Sequence, residues 1–181
     1  MTTLLDIKKK VLQLIEEIDT NNEKLTSDPD IEAKLNSVIN QVQFELARMR
    51  KIPAYKEMKI EQKQVFDLNT LERFYQLRLL SFSGSYDVIE NLVAFAEEGT
   101  ADFYYYVFPE VITDETPDTY EFELPQDALE ILPYGVASDI LKSDASTNYG
   151  AIYTQRYETM LQRLDPRYSM ASITIEGGIE I

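Results

Sequence analysis

The sequence predicts an α+β protein, mainly α. Its core is about four helices in two hairpins, with a small antiparallel β-subdomain inserted between them and an extended C-terminal arm. Three observations predict this. Apolar residues recur at helical spacing near both ends of the chain. Between those ends the period shortens, and aromatic and β-branched residues alternate between turn signals. After the last helical pattern, isoleucines alternate with polar residues around a Gly-Gly pair. The predicted boundaries are 1–56 for the first helical hairpin and 57–119 for the β-subdomain. Residues 120–167 form the second hairpin, and 168–181 the arm.

Residues 4–20 place Leu4, Ile7, Val11, Leu14, Ile15 and Ile18 on one helical stripe, and Asn21-Asn22 ends it. Lys8, Lys9 and Lys10 lie mostly off that stripe. They form a solvated face or a nucleic-acid patch, and the neutral charge of the surrounding segment favours the first. The next helix has a clear start. Asp28 can cap, Pro29 fits the first helical position, and Asp30 and Glu32 suit the positive end of the helix dipole. Its stripe runs Ile31, Leu35, Val38, Ile39, Val42, Leu46, Met49, and Pro53 stops it. The matching stripes predict that these two helices pair as an antiparallel hairpin.

From Tyr55 to Ile112 the pattern is of short strands. Met58 and Ile60, Val65-Phe66, and Phe74, Leu77, Leu79 and Phe82 mark them, and Ser83-Gly84-Ser85 reads as a turn. Glu90-Asn91 lies between Val88-Ile89 and Leu92-Val93-Ala94-Phe95, as in a tight hairpin. Glu98-Gly99 turns into Thr100 to Phe108, which carries aromatic residues on both faces and is therefore predicted to be a central strand. Tyr104, Tyr105 and Tyr106 are of a type that stacks on bases, but sheet packing is the simpler account in acidic surroundings. Thr113 to Thr119 is a polar loop.

Tyr120 to Arg167 reads as a short strand, a Pro-started helix, a small-residue turn and a second helix closed by Asp165-Pro166. The first helix carries Leu129, Leu132, Val136, Ala137, Ile140 and Leu141. Pro133 predicts a kink there, or a short helix followed by a longer one. Gly135 predicts close approach of a neighbouring helix. The second helix carries Ile152, Tyr153, Tyr157, Met160, Leu161 and Leu164. Tyr149, Tyr153 and Tyr157 are the candidates for subunit packing. In the arm, Ile173, Ile175, Ile179 and Ile181 either add to the chain's own sheet or add a strand to another subunit.

Composition excludes much chemistry. The 181 residues include no Cys and no His, which removes disulfides, thiolate nucleophiles and any His-based triad. The N-terminus has no basic region before an apolar run, so no signal peptide is expected, and no apolar run is long enough to span a membrane. A cytosolic site of folding is expected. The net charge is −15. Residues 1–56 are neutral, so residues 57–181 carry the whole excess. Between Arg78 and Lys142 there are 14 acidic residues and no Lys or Arg. Such a surface repels phosphate, so sequence-reading of nucleic acid is disfavoured. It is either a solvated face or a wall that DNA passes without sticking.

Carboxylates are the remaining candidates for chemistry. Glu121 and Glu123 fall on one face of the predicted strand, and Asp114-Glu115 and Asp118 fall in a loop. Neither group has the glycine-turned spacing of a calcium loop, and solvated acids are the simpler reading. No catalytic residue, metal site or cofactor is predicted, and Gly177-Gly178 lacks the strand–turn–helix setting of a nucleotide fingerprint.

Taken together, the layout resembles the head–tail connector (adaptor, or neck) proteins of tailed bacteriophages and prophages. The likeness is strongest over 121–164, which opens Glu-Phe-Glu-Leu-Pro-Gln-Asp-Ala-Leu-Glu-Ile-Leu-Pro-Tyr-Gly-Val-Ala-Ser-Asp-Ile-Leu and ends in a Tyr-rich helix. Asp28–Pro53 and Glu98-Gly99-Thr100 leading into Tyr-Tyr-Tyr-Val-Phe-Pro add to it. The resemblance implies a structural virion protein with no enzymatic activity. It implies a ring, commonly dodecameric, that docks under the portal protein and meets an adjacent neck or tail-completion protein. DNA would pass through the ring without sequence-specific binding. Assembly would take place in the bacterial host cytoplasm, and the protein would end in the virion neck. The large β-insertion and the long arm depart from the simplest members of that family. Two other classes compete with this reading: an acidic monomeric interaction module outside a virion, and a carboxylate-based hydrolase.

Overall fold

The computed structural model describes residues 2–18, 25–142 and 149–164. The helices are α1 (Leu4–Leu14), α2 (Pro29–Met49), α3 (Gln126–Leu129), α4 (Leu132–Leu141) and α5 (Tyr149–Leu164). The strands are β1 (Ile52–Ile60), β2 (Val65–Asp67), β3 (Phe74–Phe82), β4 (Tyr86–Ile89), β5 (Leu92–Phe95) and β6 (Gly99–Val107). Among the described residues helix accounts for 43% and strand for 26%. The expectation of a mainly α protein is therefore overturned, and the fold is a mixture of helix with two three-stranded antiparallel sheets.

The reason lies in β1 and β3, each nine residues long. β1 begins at Ile52, three residues after α2 ends, so the boundary expected after residue 56 falls inside it. Its period-two pattern is broken by Lys56 and Glu57, which sit adjacent on an open edge where both can reach water. In β3, register shifts between Phe74 and Gln76 and between Leu77 and Leu79 interrupt the alternation. Both strands therefore read as shorter than they are.

The sheets have the orders β1-β6-β3 and β2-β5-β4. The predicted central strand is central: β6 pairs with β1 on one side and β3 on the other. Ala101, Phe103, Tyr105 and Val107 of β6 are buried, and the residues between them face outward. The Glu90-Asn91 hairpin also forms, with Ile89 opposite Leu92 and Glu90 in the left-handed region at φ 55°. The second sheet folds over the first. Phe95 packs edge-on to Phe82 and Phe103, and Phe66 lies 5.2 Å from the Phe103 ring, which is wholly buried.

In the helical layer α4 is central. Leu132, Pro133, Gly135, Val136, Ala137 and Ser138 are all buried, and α1, α2 and α5 each pack against it. The expected α1–α2 hairpin is thus replaced by two helices that both lean on α4. Pro133 resolves as the short-then-long alternative, with α3 ending at Leu129 and Pro133 in the first turn of α4. Gly135 meets the expectation of close approach, because a Cβ there would fall 2.6 Å from Val42 Cγ1 and 2.7 Å from the Tyr157 ring.

α1 also stops earlier than the apolar stripe implies. Thr3 and Asp6 form a reciprocal capping box at its start. At its end Glu16 adopts φ 61°, with Glu16 N–H donating to Gln13 and Glu17 N–H to Leu12. That is a Schellman closure with glutamate in the place glycine usually takes. Residues 120–124 do not form the predicted strand. Only a single bridge joins Glu121 to Thr3, supported by Leu4 N–H donating to the Tyr120 carbonyl at 2.8 Å.

The segment between β6 and α3 ties the two layers together. Asn36, Asn40 and Gln43 lie at one-turn spacing along α2 and face it. Asn40 donates to the Ile112 carbonyl at 2.7 Å and accepts from its N–H at 2.8 Å. Gln43, wholly buried, donates to the Glu110 carbonyl at 2.9 Å. Both backbone groups of Ile112 and the Glu110 carbonyl are thereby satisfied without a sheet.

Candidate functional site

The carboxylates named as candidates for chemistry are held in separate structural roles. Arg73 donates to both Glu123 oxygens, at 2.6 and 2.9 Å, and Glu110 N–H reaches the same carboxylate at 3.3 Å. The Arg73 bonds hold the Glu123 carboxyl below the usual glutamate range. Arg73 makes this pair from a left-handed backbone, φ 50°. Glu121, by contrast, sits exposed at the bridge to Thr3, so the two glutamates do not converge as an acid pair. Asp118 pairs with Lys8 at 3.1 Å, and Asp114 accepts from Asn36 at 3.0 Å. No group of three or more metal-ligating side chains converges among the described residues.

The tyrosines of α5 divide. Tyr157 is only 8% exposed and donates to Glu45 Oε2 at 2.7 Å, so it bolts α5 to α2. Burial and that carboxylate push its hydroxyl pKa far up. Tyr153 donates to the Leu14 carbonyl at 2.7 Å and fastens α5 to the end of α1. Of the three subunit-packing candidates, only Tyr149 faces outward, at 56% exposure, with Ile152 one turn on. Lys8 is paired with Asp118, whereas Lys9 and Lys10 are exposed. Ile173, Ile175, Ile179 and Ile181 lie outside the described residues.

The β-module carries surfaces that the sequence pattern did not single out. On the outer face of the first sheet, Tyr55, Tyr104 and Leu79 lie side by side across its three strands. All three are exposed, with Leu79 at 56%. Tyr55 donates to Asp102 at 2.8 Å, which pushes its pKa up to about 12, and the Lys51 ammonium sits 5.0 Å above the Tyr106 ring. Tyr104 and Tyr106 thus belong to this outer face, whereas Tyr105 is buried in the core. On the second sheet every residue of β4 is exposed, and Tyr86, Val88 and Ile89 are apolar. The signal was available in the sequence as apolar residues on both faces of a strand beside a tight turn.

These surfaces offer apolar contact and open strand edges rather than a catalytic constellation. No helix among the described residues is long and apolar enough to cross a membrane. No protein-family model matches the chain, and no curated protein matches it.

Proposed function

We propose that this protein is a structural component of a virion, a head–tail connector. It forms a ring that docks on the portal protein and joins capsid to tail around the DNA channel. One observation carries the reading: the residue pattern over 121–164, whose helix α4 is the packing centre of the helical layer. On this reading the partners are the portal, an adjacent neck or tail-completion protein, and further copies of the chain in a dodecameric ring. The protein is assembled in the bacterial host cytoplasm and ends in the virion neck.

Charge supports the same reading. The stretch from Leu79 to Leu141 carries acidic residues and no cation. A channel wall of that sign offers DNA no phosphate contacts, so the duplex slides past without being held. Apolar patches on the β-module, rimmed by charge, are what a ring subunit covers against its neighbours. The test is co-sedimentation with the cognate portal protein. The connector reading expects a stable complex of defined stoichiometry. A chain that stays monomeric and never co-sediments would instead be an acidic interaction module outside a virion.

A further inference from the structure

The β-module has two open seams. β1 and β2 are joined by the turn at 61–64, which the Gln64 N–H closes on the Glu61 carbonyl at 3.2 Å, so β2 starts beside the end of β1. β3 and β4 are joined by the turn at 83–85, and the Tyr86 hydroxyl reaches the Leu80 carbonyl at 3.3 Å, so they lie together as well. β6 and β5 occupy the middle of their sheets. The free edge of β1 and the free edge of β4 therefore point out of opposite sides of the same module.

The two edges differ in charge. Along β1 and its turn, Lys56, Lys59 and Lys63 are exposed, and none forms an ion pair among the described residues; Glu57 and Glu61 only partly offset them. β4 and its hairpin carry Asp87 and Glu90 and no cation, inside the stretch that lacks Lys and Arg altogether. β4 also exposes Val88 and Ile89, with Ile89 at 61%. An exposed edge strand presents unpaired N–H and C=O groups that can template another strand.

We infer that β4 of one copy adds to β1 of the next, so that the β-module is the head-to-tail joint of the ring. Because the two edges lie on opposite sides, their pairing is heterologous and propagates in one direction, as ring closure requires. A two-fold dimer would instead pair β1 with β1 or β4 with β4, and would bring like charges together in each case. The inference rests on the ring reading and specifies which surfaces make the ring.

The chain contains no cysteine, so engineered thiols report alone. A chain carrying both Lys59→Cys and Asp87→Cys, bound to the portal and treated with a short bis-maleimide, is expected to give a ladder of covalent oligomers. Charge reversal gives a second readout. Lys56→Glu with Lys63→Glu makes both seams acidic, and Asp87→Lys with Glu90→Lys makes both basic. For this readout Lys59→Cys is kept and the second thiol is moved to Val88→Cys. Each reversed set alone is expected to cut the ladder by about tenfold, and mixing the two is expected to restore it through alternating copies. Recovery on mixing also shows that both variants fold. Rings visible on the portal without a ladder would overturn the inference and leave the connector reading standing. Cross-linking of Asp87→Cys to Ile175→Cys in place of β1 would assign β4 to the C-terminal arm and also overturn it. Failure of the unmodified chain to form any ring would overturn both.

Discussion

The ring of Tyr157 lies where a side chain on Gly135 would have to go: a Cβ there would fall 2.7 Å from the ring. This contact lets α5 sit directly on α4, and the Tyr157 hydroxyl then reaches across to Glu45 of α2. Three helices meet at one glycine. Gly135→Ala should therefore destabilise the protein although alanine is the better helix former. The added methyl must displace Val42 or Tyr157 in a packed core, at a cost of about 1–3 kcal/mol that outweighs a helix-propensity gain of about 1 kcal/mol. Urea unfolding followed by far-UV circular dichroism measures the shift in midpoint.

Glu16 predicts a change of the opposite sign. It closes α1 at φ 61°, a conformation that costs a side-chain-bearing residue about 1 kcal/mol relative to glycine. Glu16→Gly should raise the midpoint of thermal unfolding, with a gain of at most about 0.5 kcal/mol after the added flexibility of the unfolded chain is subtracted. Differential scanning calorimetry gives the comparison.

Asn40 is the hinge pin between α2 and the segment leading out of β6. It satisfies both backbone groups of Ile112, which is itself buried. Asn40→Ala leaves a donor and an acceptor without partners and should cost about 1–3 kcal/mol. Asn40→Asp should retain the bond from the Ile112 N–H while losing the one to its carbonyl. Hydrogen exchange at the Ile112 amide separates the two, with fast exchange expected only in the alanine variant.

The Arg73–Glu123 pair sets an acid limit. Glu123 has a folded-state pKa below its ordinary value, so its contribution is fully present above the unfolded-state pKa and is lost as pH falls through the folded one. Both side chains are about one-third exposed, so solvent screening limits the pair to about 1 kcal/mol. Glu123→Gln should lower stability at pH 7 by about that much and flatten the loss of stability below the usual glutamate range. Denaturation midpoints measured across the acid range test both the size and the sign.

Local chemistry was legible in the sequence wherever one residue dictates a conformation. Asp28-Pro29 fixes the start of α2, Glu90-Asn91 fixes the hairpin, and Gly135 marks a helix contact. Pro133 restricts the chain to two outcomes, one of which is found. The composition of β6 also identified it as the central strand. What was not legible depends on partners distant in sequence. Nothing in the stripe of α1 says that it packs on α4 more than a hundred residues later. β1 hides its period behind Lys56 and Glu57 because an edge strand can wet both faces, and β3 hides its own behind two register shifts. The left-handed Glu16 ends α1 where the apolar pattern continues, so the pattern overstates the helix. Glu123 read as a solvated acid because its true partner, Arg73, is fifty residues away.

On the connector reading, copies of this chain form a ring on a portal. Electron microscopy of the purified protein mixed with its cognate portal protein looks for that ring. A closed ring of this chain stacked on the portal, coaxial with the channel, is the expected result. Portal particles that remain bare, with the chain free in the background, would contradict it.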